Sequence, residues 1–201
     1  MLPQSFSARA MESGAKYGVI AGLIATWSIS TAIAASEIEL GLPIGAFYAM
    51  IGAGLGYENP AATYVGFGLH LLTGAVLGVI ICLAAVRFML SSLLNPYRSV
   101  LMGMAAGVAV WLVLFLPVTL FLVEPMLDGG SGNAAGSPAQ AAASAAAGQS
   151  MWGIALSAIA FHVVWGAIFG YVASSLMRIR AFRLGSSGSG QKMHKEGGMT
   201  H

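Results

Sequence analysis

The sequence predicts an all-α integral membrane protein, a four-helix bundle built from two parallel two-helix repeats, with a short interfacial or re-entrant segment in the first outer loop. Three observations carry this. The 201 residues are 57% hydrophobic and only 8% charged, whereas soluble domains carry roughly a quarter charged residues. So few charges cannot cover a water-facing surface of this size, and the apolar excess must face lipid. Four apolar runs, at about 17–36, 62–86, 100–123 and 151–177, contain no acidic or basic residue. All nine basic residues fall on one side of those runs. The chain reads as a single membrane domain over 1–201.

Each run reaches the ~20 residues that cross ~30 Å of hydrocarbon at 1.5 Å per residue, and alternating barrel strands are far shorter. The first run follows a short polar start that carries Arg9 and Lys16. Ala32-Ile33-Ala34 resembles a signal-peptidase site, but the run is long for a signal peptide, so a retained span is expected. From Pro43 to Gly56 inclusive the stretch has 14 residues, only ~21 Å of helix and too short to cross. A crossing there would also move Arg87 and Arg98 to the other side. The stretch is therefore interfacial or re-entrant, opened by Pro43 and ended by its glycines.

Arg87 and Arg98 bracket the loop before the third span, where Asn95-Pro96 marks a turn. After the third span, Glu124 and Asp128 flank Pro125, and residues 128–137 read as a disordered linker. Ser137-Pro138 has the form of an N-cap followed by proline at the first helical position, so the Ala-rich stretch after it would extend the fourth helix outward. Arg178, Arg180, Arg183, Lys192 and Lys195 follow the fourth span, and the Gly/Ser-rich tail 185–201 is expected to be disordered. The opposite side carries Glu37, Glu39, Glu58, Glu124 and Asp128 without a Lys or Arg. The positive-inside rule then places both termini in the cytoplasm of a cell-membrane protein. Of these, Glu37, Glu39, Glu124 and Asp128 read as solvated loop charges. The single cysteine, Cys82, excludes an internal disulfide framework.

An internal repeat is visible. The second span reads His70-Leu-Leu-Thr-Gly74-Ala-Val-Leu-Gly78 and the fourth reads His162-Val-Val-Trp-Gly166-Ala-Ile-Phe-Gly170. Both fit H-φ-φ-x-G-A-φ-φ-G. The first and third spans share a weaker match, Gly18-x3-Gly22 with Gly103-x3-Gly107, each followed by a tryptophan, Trp27 or Trp111. Two spans return the chain to its starting side, so the copies would be parallel and related by an axis along the membrane normal. Small residues recur every fourth position in the first, second and fourth spans. Such rows let helix backbones approach where lipid supplies no hydrophobic drive for association. They are therefore placed in the bundle interior, with Leu, Ile, Val and Phe toward lipid.

His70 and His162 share those rows, about 12 and 16 Å below the outer helix ends at 1.5 Å per residue. An ionisable group inside the membrane is a functional-site hypothesis by default. Three readings stand. Each neutral histidine hydrogen-bonds across helices and holds the bundle together. The pair ligates one transition metal or one haem, with nearby glycines leaving room for a macrocycle. Or the pair lines a polar path for protons or a small solute, with Glu124 and Asp128 at its mouth. In the tail, Met193-His194 and Met199-Thr200-His201 form a thin copper-like pattern, for which a solvated polar tail is the plainer account.

There is no phosphate-binding glycine loop, nucleophile elbow, HExxH or acidic pair within a span. The basic residues serve as the topology signal, so nucleic acid has no support as a partner. The paired H-x3-G-A-φ-φ-G helices, with Leu42-Pro43 and Leu116-Pro117, resemble a loose group of small prokaryotic multi-span membrane proteins. The resemblance covers most of residues 14–178 and implies the fold but no activity. The functional expectation is a non-enzymatic membrane protein in contact with lipid, an accessory or structural subunit of a complex or a self-associating chain. A bis-histidine redox or metal protein is the first alternative, and a small channel or transporter the second.

Overall fold

Local chemistry marks where each helix starts and stops. The computed structural model describes the backbone of residues 4–123 and 151–196 and the side chains of residues 11–121 and 158–182. α1 (Gln4–Glu39) ends ahead of Gly41, and α2 (Ala46–Gly54) lies between Gly45 and Gly56. These three glycines have φ of 70°, 89° and 86°, the left-handed region that glycine alone adopts without cost. They let the chain fold back sharply on either side of α2. α3 (Ala61–Phe88) leads into the short α4 (Leu90–Leu94) and then α5 (Pro96–Val110). At that start Asn95 Oδ1 accepts from the Arg98 amide at 3.2 Å, and Pro96 occupies the first turn, where its missing N–H costs nothing.

The third span then loosens. A π-helical stretch at Trp111–Phe115, the short α6 (Leu116–Val118) and a second π-helical stretch at Thr119–Val123 continue α5. Pro117 removes one backbone donor and crowds the carbonyl one turn earlier, and wide π turns on both sides accommodate it. The last helix, α7 (Met151–Glu196), runs past Gly185, where composition predicts disorder. The segment 128–137, Ser137-Pro138, Glu124, Asp128 and residues 197–201 lie outside the described residues.

Four stretches are long and apolar enough to cross a membrane, at Met11–Glu39, Ala61–Phe88, Pro96–Phe121 and Ala158–Phe182. Among the described residues there is no strand. The chain is an all-α, multi-pass membrane bundle. The α2 segment does not cross; it lies along the start of α3.

Two close-packed seams organise the bundle. In the first, α1 meets α3. A methyl built on Gly18 would fall 2.8 Å from Val79 Cα, and one on Gly22 would strike the Gly74 carbonyl and lie 3.2 Å from Gly78 Cα. In the second, α5 meets α7. A methyl on Gly103 would strike the Gly166 carbonyl and lie 3.1 Å from Gly170 Cα, and one on Gly107 would strike the His162 carbonyl. Ser99 adds a buried hydrogen bond to the Gly170 carbonyl at 2.8 Å. With the second and fourth spans aligned on their shared motif, Gly22 takes the place of Gly103. That is one turn away from the match of Gly18 with Gly103 made in sequence.

The seams are joined where α1 packs on α7, so the spans follow the order second, first, fourth, third. The buried cluster reflects this. It takes Ala21, Ala25 and Ile29 from α1, Cys82, Ala85 and Val86 from α3, Leu93 from α4, and Trp165, Phe169, Ala173 and Met177 from α7. Among the described residues, the third span reaches it through the partly buried Met102 and Val110.

Candidate functional site

The site is built upward from Thr26, at the crossing of three helices. Thr26 is fully buried. Gly74 on α3 is pressed against it so closely that an added methyl would overlap its hydroxyl oxygen. From α7, Trp165 Nε1 donates to Thr26 Oγ1 at 2.9 Å and its ring stacks on Phe169, 5.5 Å between centroids and 7° from parallel. Ser30, one turn along α1, donates to the Thr26 carbonyl at 2.9 Å.

Both histidines stand one turn beyond this junction, toward the end that carries α2. His70 is four residues before Gly74, and His162 three before Trp165, so each shares a helix face with the group that touches Thr26. Aromatic rings hem in both. Phe47 and Tyr48 of α2 pack on His70 at 6.3 and 5.4 Å, and Phe115 packs on His162 at 5.1 Å. His162 Nδ1 lies 2.8 Å from the Ala158 carbonyl. A carbonyl only accepts, so Nδ1 carries the proton and, in a neutral ring, Nε2 keeps its lone pair.

The α2 segment completes the site, and two of its anchors escaped sequence reasoning. Gly66 and Gly52 let α2 and α3 touch backbone to backbone: a methyl on Gly66 would strike the Tyr48 carbonyl, and one on Gly52 the Ala62 carbonyl. This close approach seats the Tyr48 ring, 5% exposed, beside His70. The second anchor is Glu37, read from sequence as a solvated loop charge. It is 4% exposed, and its carboxylate accepts from the Gly45 amide at 2.7 Å and the Phe47 amide at 2.8 Å. Those amides open α2 and have no partner within the helix, so a carboxylate there satisfies them and complements the helix dipole. The one sequence signal was an acid just ahead of a Gly/Pro break and a short apolar helix. Glu39, two residues on, is exposed as expected.

Two buried polar atoms of this site make no hydrogen bond among the described residues, His70 Nε2 and Tyr48 Oη. Burial pushes the Tyr48 phenol above its usual range. Away from water an unsatisfied polar group costs several kcal/mol, so two side by side mark a place of interest. No group of three or more His, Cys, Asp or Glu side chains gathers among the described residues. No protein-family model, curated protein or solved structure matches this chain.

Proposed function

We propose that the chain is a non-enzymatic membrane subunit that works through helix contacts inside the bilayer, as an accessory or structural part of a larger complex or by self-association, with both termini on the cytoplasmic side of the cell membrane. The observation that carries this reading is the uneven cover of the four spans. Each of the first, second and fourth contributes to the buried cluster, while the third is held along one side only. Its other side presents Leu112, Val113 and Phe121, the last two 66% and 81% exposed. The described connections between helices are short, at 40–45, 55–60 and 89–95, and leave no room there for soluble chemistry. Haem is the less favoured occupant of the histidine pair, because protein rings already lie against both imidazoles.

Photo-crosslinking in native membranes tests the proposal. A crosslinker at Val113 or Phe121 is expected to trap one discrete protein adduct, a second copy or another subunit. Adducts with lipid alone, together with a monomeric mass in nanodiscs, would refute it.

A further inference from the structure

We infer that the exposed face of α7 at the basic end of the bundle binds one anionic phospholipid, with its phosphate on Arg178 and an acyl chain lying along the helix toward Tyr171. This goes beyond the subunit reading and does not depend on it.

Antiparallel packing brings the positive charges to one end. Gly14, near the start of the first span, lies against Val86 near the end of α3, and Ser99, near the start of α5, bonds the Gly170 carbonyl of α7. Lys16, Arg87, Arg98, Arg178 and Arg180 therefore stand together in the terminal turns of the four spans. Among the described residues the acid at this end is Glu12, and Lys16 already pairs with it at 2.7 Å. None of the four arginines forms an ion pair with a described residue. Arg87 lies over the Phe88 ring, 5.3 Å from its centre, and Arg180 is partly buried, whereas Arg98 and Arg178 are exposed. Positive charge left unneutralised where a span meets the headgroups attracts anionic lipid.

The groove beside Arg178 selects that residue and the kind of ligand. It has a volume of about 530 Å3 and is lined by Ser175, Arg178, Ile179 and Phe182, a spacing that puts all four on one helix face. The Ser175 hydroxyl already donates to the Tyr171 carbonyl at 2.8 Å, so Arg178 is the lining side chain left to donate to an anion. Its planar guanidinium offers paired N–H donors that match phosphate oxygens. The rest of the wall is apolar. Ile179 is exposed, and Phe182 is 78% exposed at the end of the span, where an aromatic ring suits the interface. Tyr171, one turn before Ser175, and Val164, two turns before that, carry the same face into the span and are exposed as well. A cation at one end of an apolar stripe is the complement of a phospholipid with net negative charge. A free phosphate would leave the stripe uncovered, and a zwitterionic lipid would bring Arg178 no net counter-charge.

The test uses the full chain in neutral detergent micelles, given equal amounts of dioleoyl phosphatidylglycerol and dioleoyl phosphatidylcholine, with native mass spectrometry reading the composition of the one-lipid adduct. The expected result is a preference for phosphatidylglycerol of roughly fivefold, the order of one arginine at an anionic surface, falling to near parity in Arg178→Gln. Lys16→Gln removes the same charge at the same end, from a side chain already paired with Glu12, and is expected to leave the preference unchanged. Raising ammonium acetate from about 0.05 to about 0.5 M shortens screening to a few ångströms and should erase the preference in the unaltered protein. Parity between the two lipids overturns the proposal. So does a preference that survives Arg178→Gln or high salt, or one that Lys16→Gln lowers as far as Arg178→Gln does, since the charge of the whole end then acts and the groove does not. Displacement of the lipid by millimolar inorganic phosphate would show a site for free anions and overturn the assignment to lipid. In native membranes a photo-crosslinker at Ile179 should trap lipid, and a protein adduct in its place would likewise overturn it.

Discussion

Replacing Gly74 by alanine tests the central junction most sharply. The new methyl would overlap Thr26 Oγ1 and lie 2.8 Å from Thr26 Cβ, both on a fully buried residue. Forcing an extra carbon into packed helices costs about 1–3 kcal/mol. The displaced hydroxyl also loses the Trp165 hydrogen bond, and interhelical bonds of this kind average about 0.6 kcal/mol in membranes. Gly68, on the same helix, is the control, because a methyl there meets nothing within 4 Å. Gly68→Ala gains only the helix preference for alanine, about 0.5–1 kcal/mol. That gain is common to both variants, so the difference between them isolates the junction. It is expected at about 2–4 kcal/mol, a factor of roughly 30 or more in the folded-to-unfolded ratio. Reversible unfolding in mixed micelles, or steric trapping in bilayers, measures it. Thr26→Gly in the Gly74→Ala background removes the atoms in conflict and should recover part of the loss, a non-additivity expected only of residues in contact. Equal stability of Gly74→Ala and Gly68→Ala would refute the account of the junction.

Two further outcomes follow from the same geometry. Glu37→Ala leaves the Gly45 and Phe47 amides without their carboxylate, a cap worth about 0.5–2 kcal/mol; hydrogen exchange at residues 45–49 should speed up about tenfold, and unchanged exchange would show that α2 is held by packing alone. Trp27 is 58% exposed and Trp165 is 6%, so in single-tryptophan variants brominated lipid should quench Trp27 strongly and Trp165 weakly, whereas equal quenching would contradict the placing of α7 against α1.

Much of the fold was legible because the membrane imposes it one segment at a time. A run such as 62–86 must be helical to satisfy its own backbone in lipid, and neighbouring sequence suffices to locate it. The turn at Asn95-Pro96 was legible for the same reason, while the capping of α5 by Asn95 came only with the structure. The glycine rows showed which faces permit close approach. They did not show register, because any small residue can meet another at four-residue spacing. Gly22 rather than Gly18 matches Gly103 through contacts with Gly74, Gly78, Gly166 and Gly170, which no single helix encodes.

The candidate site divides in the same way. His70 and His162 stood out alone, as ionisable residues in apolar runs. Tyr48 and Glu37 did not, because an aromatic in an apolar stretch and an acid at a span's end are ordinary until α2 folds back over α3. Trp165 was only the variable position of the shared motif until α7 met α1 at Thr26.

The sequence by itself determined the class of protein, the number of spans and the helix faces that carry small residues, since each depends on transfer to lipid and on local backbone chemistry. Only the tertiary structure decided the order of the helices, the burial of Glu37 and the meeting of Tyr48 with His70. Those depend on shape complementarity between distant surfaces, and in a bilayer the attraction comes from close contact itself, not from exclusion of water.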